Sequence, residues 1–301
     1  MWISTISTVS PSALTRMRHK EMNRLLVVDG MNLLFQMFYG MPARIVNAEG
    51  KAIQGTLGFV GALLKILRAV SPTHVAVIFD GECENVRRDI DENYKANRPD
   101  YSEMPEDELP FSQLPDVYAA LDLLGIRHFE TTVCETDDII ASYALRYREE
   151  CEIVISSQDS DFFQLIDKNV SVLRYRGDAS VVCTPDYIRE KLCIEPSLYA
   201  DYKSLTGDNS DNIKGAEKVG PKTAAALVNE FGTLENIIAH AAEIKKPSVR
   251  ESILRDSERL LKNYSLIGLS DSATLPFELC ELEYSYSGMS TTEVLRGIGL
   301  R

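Results

Sequence analysis

The runs LLVVD (25–29), VAVIFD (75–80) and EIVISS (152–157) are short, rich in β-branched residues and apolar up to their last positions. A strand with one wet face alternates apolar and polar side chains, so continuous apolar runs of this length fit strands covered on both faces. Between them, TLGFVGALLKILRAV (56–70), LPDVYAALDLLG (114–125) and DDIIASYALRYREE (137–150) repeat apolar residues at helical spacing. Strand and helix in alternation predict an α/β fold with a mainly parallel sheet and helices on its faces.

That prediction locates the chemistry, because in such sheets sites form in the crevice beyond the carboxyl ends of the strands. Asp29 closes LLVVDG, Asp80 closes VAVIFDG, and Asp159 follows IVISSQ. Glu135 and Asp138 lie three apart at the start of a helix, on one face, with Asp137 between them. Asp161 completes SQDSD, and Asp208 and Asp211 sit in TGDNSDN. Nine acids gathered in one pocket repel one another unless cations sit among them, so the set reads as a metal-dependent site acting on phosphate. Singly, each acid has an ordinary explanation as a helix cap, a first-turn residue or a turn former.

The net charge of −13 at first speaks against a nucleic-acid partner. Neutralising the nine clustered acids would leave an excess of only four over a large surface, so local patches matter more than the total. The six cysteines form no C-x-x-C pair and there are four histidines, a poor set for zinc. Most of the cysteines read as small core residues in a reducing, cytoplasmic compartment. No apolar run is long enough to cross a bilayer. Residues 1–22 are rich in Ser and Thr and lack the apolar stretch of a secretory signal. They read as a disordered leader or as sequence upstream of a true start at Met22, and fit an organellar transit peptide only loosely.

From Gly81 to Leu114 the core pattern lapses into charges and prolines around the cluster Arg87, Arg88, Lys95 and Arg98. The excursion is too long for a plain connection and predicts an arch or lid, about residues 82–113, over the strand ends. After about Ser204 the chain reads as a smaller helical unit. Gly215 and Gly220 bound a tight turn, Pro221 opens a helix, Gly232 closes it, and Thr233 caps the next. Amides exposed at such a turn suit a nucleic-acid phosphate, with Lys218 and Lys222 beside it. Beyond Ser270, FELCELEYSYSG predicts an extended segment packed back on the body.

In order, VDG, FDG with YKANRP, ETDD, SQDSD, TGDNSDN and GAEKVGPKTA resemble the bacterial 5′-3′ exonuclease and flap endonuclease family over about residues 24–270. The resemblance implies a PIN-like (Rossmann-like) domain with a helical arch, residues 23–204, joined to a helix-three-turn-helix DNA-binding module and tail, 205–301. It implies hydrolysis of DNA phosphodiesters at a 5′ flap or 5′ end, in replication or repair, by a nucleoid-associated monomer with no polymerase domain of its own. Two Mg²⁺ or Mn²⁺ ions would be held, one nearest Asp29, Asp80, Glu135, Asp137 and Asp159, the other supported by Asp138, Asp161, Asp208 and Asp211. Lys95 would stabilise charge on the scissile phosphate, with Arg98 and Arg87 on phosphates nearby. Tyr94 would either stack on a base or pack the arch against the body. A potassium ion near 205–220 is a further implication.

Two departures stand out. The family commonly has an arginine in the helix after the first Asp, where this chain has Gln36, and NIKG puts Lys214 where a proline is frequent. An RNA-processing PIN-type nuclease would share the acids without needing the hairpin module. A branched-DNA-binding protein weakened in catalysis would not need the full acidic set. An aspartyl-phosphate phosphatase is disfavoured, since VVDGMNLL has no second Asp two residues on.

Overall fold

The computed structural model describes residues 22–81, 86–98, 101, 104–105 and 108–300. Leader residues 1–21, Cys83 and parts of the arch expectation at 82–85, 99–100, 102–103 and 106–107 lie outside the described residues. The chain runs β1 (Asn23–Asp29), α1 (Gly30–Gly40), α2 (Gln54–Val70), β2 (His74–Asp80), α3 (Val86–Ile90), α4 (Leu114–Leu123), β3 (Arg127–Thr131), α5 (Thr136–Tyr147) and β4 (Cys151–Ser156). It continues through β5 (Val170–Arg174), β6 (Val181–Cys183), α6 (Pro185–Leu192), α7 (Tyr199–Thr206), β7 (Gly207–Asp208) and β8 (Ile213–Lys214). The last helices are α8 (Pro221–Phe231), α9 (Leu234–Ala239), α10 (Pro247–Ile267) and α11 (Thr291–Gly297).

Six strands form one sheet in the order β3-β2-β1-β4-β5-β6, parallel except for β6. Along β1 the apolar residues divide by parity. Leu25 and Val27 enter a core with α5, α7 and α8, whereas Leu26 and Val28 enter a second core with α1, α2 and α4. Burial on both faces is why the run never alternates. From β1 the chain goes to β2 on one side, and β4 lies on the other, so the connection reverses direction between β1 and β4. The carboxyl ends of those two strands bound the switch-point crevice. Gly30 lets α1 leave β1 tightly: a Cβ there would stand 2.5 Å from the Phe79 ring.

The helical unit packs α10 along α7, and the Asp201 carboxylate accepts the Leu234 backbone N–H at 2.7 Å, tying α7 to α9. Gly215 serves packing. A Cβ on it would lie 2.4 Å from the Thr206 carbonyl carbon, so the β7–β8 hairpin can press onto the end of α7 only without a side chain there. In the tail, Leu279–Glu281 forms a 3-10 turn, after which Val75 N donates to Leu282 O at 2.9 Å and Tyr284 N donates to Thr73 O at 2.8 Å. The extended part thus seals the start of β2. Cys151 and Cys183 are buried, but Cys193 and Cys280 stand exposed.

Candidate metal and nucleic-acid site

Asp29 ends β1 and caps α1, accepting from Asn32 N at 3.0 Å and from Ser157 Oγ at 2.8 Å. Ser157 lies just past β4, so this bond stitches the two strand ends that frame the crevice. Asp80 ends β2, and its Oδ1 accepts the Thr136 backbone N–H at 3.0 Å, fixing the start of α5 against the sheet. The first turn of α5 then carries Asp137 and Asp138, with Glu135 just before it. Asp159 accepts the Asp161 N–H at 2.8 Å in the turn after β4.

Asp29, Asp80, Glu135, Asp137 and Asp159 line one crevice of about 1030 Å³, together with Asn32, Arg88, Lys95 and Arg98. Phe35, Tyr101 and Phe111 line it too, their rings meeting edge to face at 5.3–6.2 Å. Burial, with Asp80 and Asp159 adding to it, pushes the Asp29 carboxyl up to about 7 despite the two bonds that favour its charged form. Burial likewise drives Asp137 well above the ordinary carboxylate range, reinforced by Asp159 and Asp29. Acids this reluctant to ionise together, with no histidine or cysteine among the lining residues, fit hard divalent cations with oxygen ligands.

The other four acids are engaged by cations of the chain. Arg87 spans Asp138 with Nη2 at 2.8 Å and Nη1 at 3.0 Å, while Nη1 also meets Glu135 at 2.5 Å. Its Nε donates to Leu266 O at 3.0 Å. Burial opposes the Arg87 charge, but Glu135 and Asp138 more than restore it. At 8% exposure this guanidinium is a strut between α3, α5 and α10, a different role from the DNA contact expected of Arg87. Asp161 and Asp208 share the Lys203 ammonium, 2.5 Å from Asp208 Oδ2. Asp211 takes Arg98 at 3.2 Å. One oxygen each of Asp161, Asp208 and Asp211 lies within 4.8 Å of the others, a grouping that could hold an ion, and Lys203 pairs with the first two of them. Lys203 carried no sequence signal, since it lies within the α7 pattern and far in sequence from the acids it joins.

Lys95 stands 2.8 Å from Glu135 Oε1 with its backbone at φ +58, held by its N–H bond to Asp211 O at 3.0 Å. A residue with a side chain in that region is strained by roughly 1–3 kcal/mol, a pattern found at functional positions. Tyr94 is 4% exposed, among Ala200, Ile213, Leu266 and Ile267. Of the two readings of Tyr94, this burial fits packing of the arch against the body. Lys218, Gly220 and Lys222 are exposed at the start of α8, and the two lysines make no ion pair among the described residues. Gln36 donates to Tyr175 O at 2.7 Å.

Residues 24–193 match the family model described as 5′-3′ exonuclease, N-terminal resolvase-like domain, and residues 194–289 match 5′-3′ exonuclease, C-terminal SAM fold. DNA polymerase I of Rhizobium leguminosarum is 34% identical over 285 residues, 92% of this chain and 27% of that protein, so the chain spans about a quarter of its relative's length. Among solved structures, the bacteriophage T5 D15 flap endonuclease in complex with DNA and metal ions aligns at TM-score 0.66 and 20% identity, covering 81% of this chain and 89% of that one. The catalytic core of Rad2 in complex with DNA substrate aligns at 0.56 and 16% identity, covering 92% and 93%.

Proposed function

The chain belongs to the 5′-3′ exonuclease family, and from that premise we propose that it is a structure-specific nuclease hydrolysing phosphodiester bonds of DNA at a 5′ flap or 5′ end. The observation that carries this reading is the convergence of Asp29, Asp80, Glu135, Asp137 and Asp159 on the switch-point crevice. These five would hold Mg²⁺ or Mn²⁺, and Asp161, Asp208 and Asp211 would hold a second ion once Lys203 yields its place. A divalent cation there supplies charge for the developing oxyanion and an acidic water as nucleophile.

The chain's own residues orient the strand. Lys95 and Arg88 face the crevice from the arch side, where a phosphate could draw the Lys95 ammonium away from Glu135. Arg98, more than half exposed, can exchange Asp211 for a neighbouring phosphate. Phe35, Tyr101 and Phe111 offer an apolar wall for a base. Gly220, Lys218 and Lys222 would contact duplex backbone further along. A potassium ion in the hairpin module rests on resemblance alone, since the carbonyls of Ser204 and Lys214 already accept from Asn263 at 3.0 Å. Action as a monomer in the cytoplasm, in replication or repair, completes the proposal. No helix among the described residues is long and apolar enough to cross a membrane.

The test is cleavage of labelled 5′-flap, nicked, single-stranded and RNA substrates with Mg²⁺ or with chelator, comparing the native protein with Asp137→Ala. Flap DNA cut only with metal, and not by the variant, supports the proposal. Metal-independent cleavage, equal cleavage by the variant, or preference for RNA overturns it.

A further inference from the structure

β5 runs parallel to β4, so its carboxyl end opens on the same rim as the crevice. Beyond Arg174 the chain passes Tyr175 and reverses through Arg176 and Gly177 toward β6. Arg176 N donates to Ser180 Oγ at 2.9 Å, Ala179 N donates to Arg176 O at 3.2 Å, and Gly177 takes φ +60. The turn is therefore closed by its own bonds, and the backbone of Arg176 is fixed although its side chain is exposed.

Gln158 links this turn to the crevice. Its side-chain Nε2 donates to Tyr175 O at 2.8 Å, the carbonyl that also accepts Gln36. Its Oε1 accepts Arg176 Nε at 3.1 Å and its backbone oxygen accepts Arg174 Nη2 at 3.0 Å. Its backbone N–H donates to Asn32 Oδ1 at 3.0 Å. Asn32 lines the crevice, and so does Asp159, the residue that follows Gln158. Among the described residues neither Arg174 nor Arg176 makes an ion pair. Gln158 holds Arg176 by Nε alone, which leaves both terminal nitrogens unused and the planar fork aimed rather than free. A guanidinium presented in that way suits a phosphodiester, which it can meet with two parallel bonds.

We infer that Arg176 binds a backbone phosphate of the strand entering the crevice, and that Gln36, Gln158 and Tyr175 are the frame that aims it. The cation expected on α1 at position 36 is thus supplied from the β5–β6 turn, and Gln36 has become part of its support. The inference rests on the nuclease reading above.

Binding of a fluorescent 5′-flap DNA by the full chain in EDTA, where no cleavage occurs, is measured across a salt series. Arg176→Ala and Arg176→Gln are each expected to weaken binding about 5- to 20-fold and to reduce the salt slope by about 0.9, the loss of one phosphate contact. Gln36→Arg added to Arg176→Ala is expected to recover the slope, because Gln36 meets Gln158, the residue that holds Arg176, at the Tyr175 carbonyl. A single neutral methylphosphonate, walked along the flap strand, should weaken the native protein at one position where the Arg176→Ala protein is indifferent. Native affinity and native salt slope in both single variants would overturn the inference while flap cleavage by the native protein still stood. Absence of flap cleavage by the native protein with Mg²⁺ would remove the reading beneath it instead.

Discussion

The Lys203 ammonium lies 2.5 Å from Asp208 Oδ2 and is shared with Asp161, so a cation of the chain already pairs with two of the three acids of the second group. Burial works against that charge, yet Asp161, Tyr199 and Asp208 hold the ammonium above its ordinary range. Lys203 therefore acts as a tethered counter-ion while no divalent ion is bound. Lys203→Met should strip the acids of their partner and lower stability in chelator by roughly 3–5 kcal/mol. Adding Mn²⁺ should raise its melting temperature more than it raises that of the native protein. Thermal unfolding with and without metal checks this, and an equal response in both proteins would count against a metal in the second group.

Arg87 joins α3 to Glu135, Asp138 and the carbonyl of Leu266, and all three sides of the contact are buried or nearly so. Arg87→Ala leaves two carboxylates without their strut, and a loss of roughly 3–5 kcal/mol in stability is expected. The salt slope of flap-DNA binding should stay unchanged in protein that remains folded, because the guanidinium has no free edge for a phosphate. Denaturant unfolding and salt-dependent binding separate the two roles. A lowered slope at native stability would restore Arg87 as a DNA contact.

The sheet and its crevice were legible because both follow from local signals. Apolar runs at 25–29, 75–80 and 152–157 announced doubly covered strands, and an acid at each carboxyl end followed from topology. β3 was not legible: RHFET sits at the sheet edge with exposed polar residues and no apolar run. α11 did carry a signal, since Ser290 and Glu293 form a capping box, but the short stretch has little periodicity beyond Val294 and Leu295. The site's acids were readable as a set, whereas their partners were not. Nothing local in the sequence tells a phosphate-binding arginine from one that spans two acids 48 and 51 residues away.

Lys95 keeps a strained backbone that holds its ammonium at the crevice wall, and among the described residues the ammonium has no partner beyond Glu135 and the Tyr94 ring face, 4.8 Å away. Lys95→Ala should therefore lower single-turnover cleavage of flap DNA by about 10²–10³-fold, the range for loss of one charge stabiliser, with a much smaller effect on binding in chelator. A proportional loss in both would make Lys95 a binding residue only.

Asp29 has a folded-state pKa of about 7 against an ordinary 3.8, raised first by burial. Between those values the folded protein holds a proton that the unfolded chain releases, so stability is present at low pH and is lost as pH rises toward 7. In chelator the protein should therefore lose stability between about pH 4 and pH 7 from this group, with Asp137 adding in the same direction. Asp29→Asn should flatten that slope and stabilise the metal-free protein at pH 8 by roughly 1–3 kcal/mol while abolishing cleavage. Saturating Mg²⁺ should flatten the native slope as well, because a cation compensates the charge that burial penalises. Urea unfolding at several pH values, with and without Mg²⁺, reads all three. An Asp29→Asn protein that is less stable than the native one at pH 8 in chelator would show that the carboxylate is a structural cap for α1 first, and a cation ligand second.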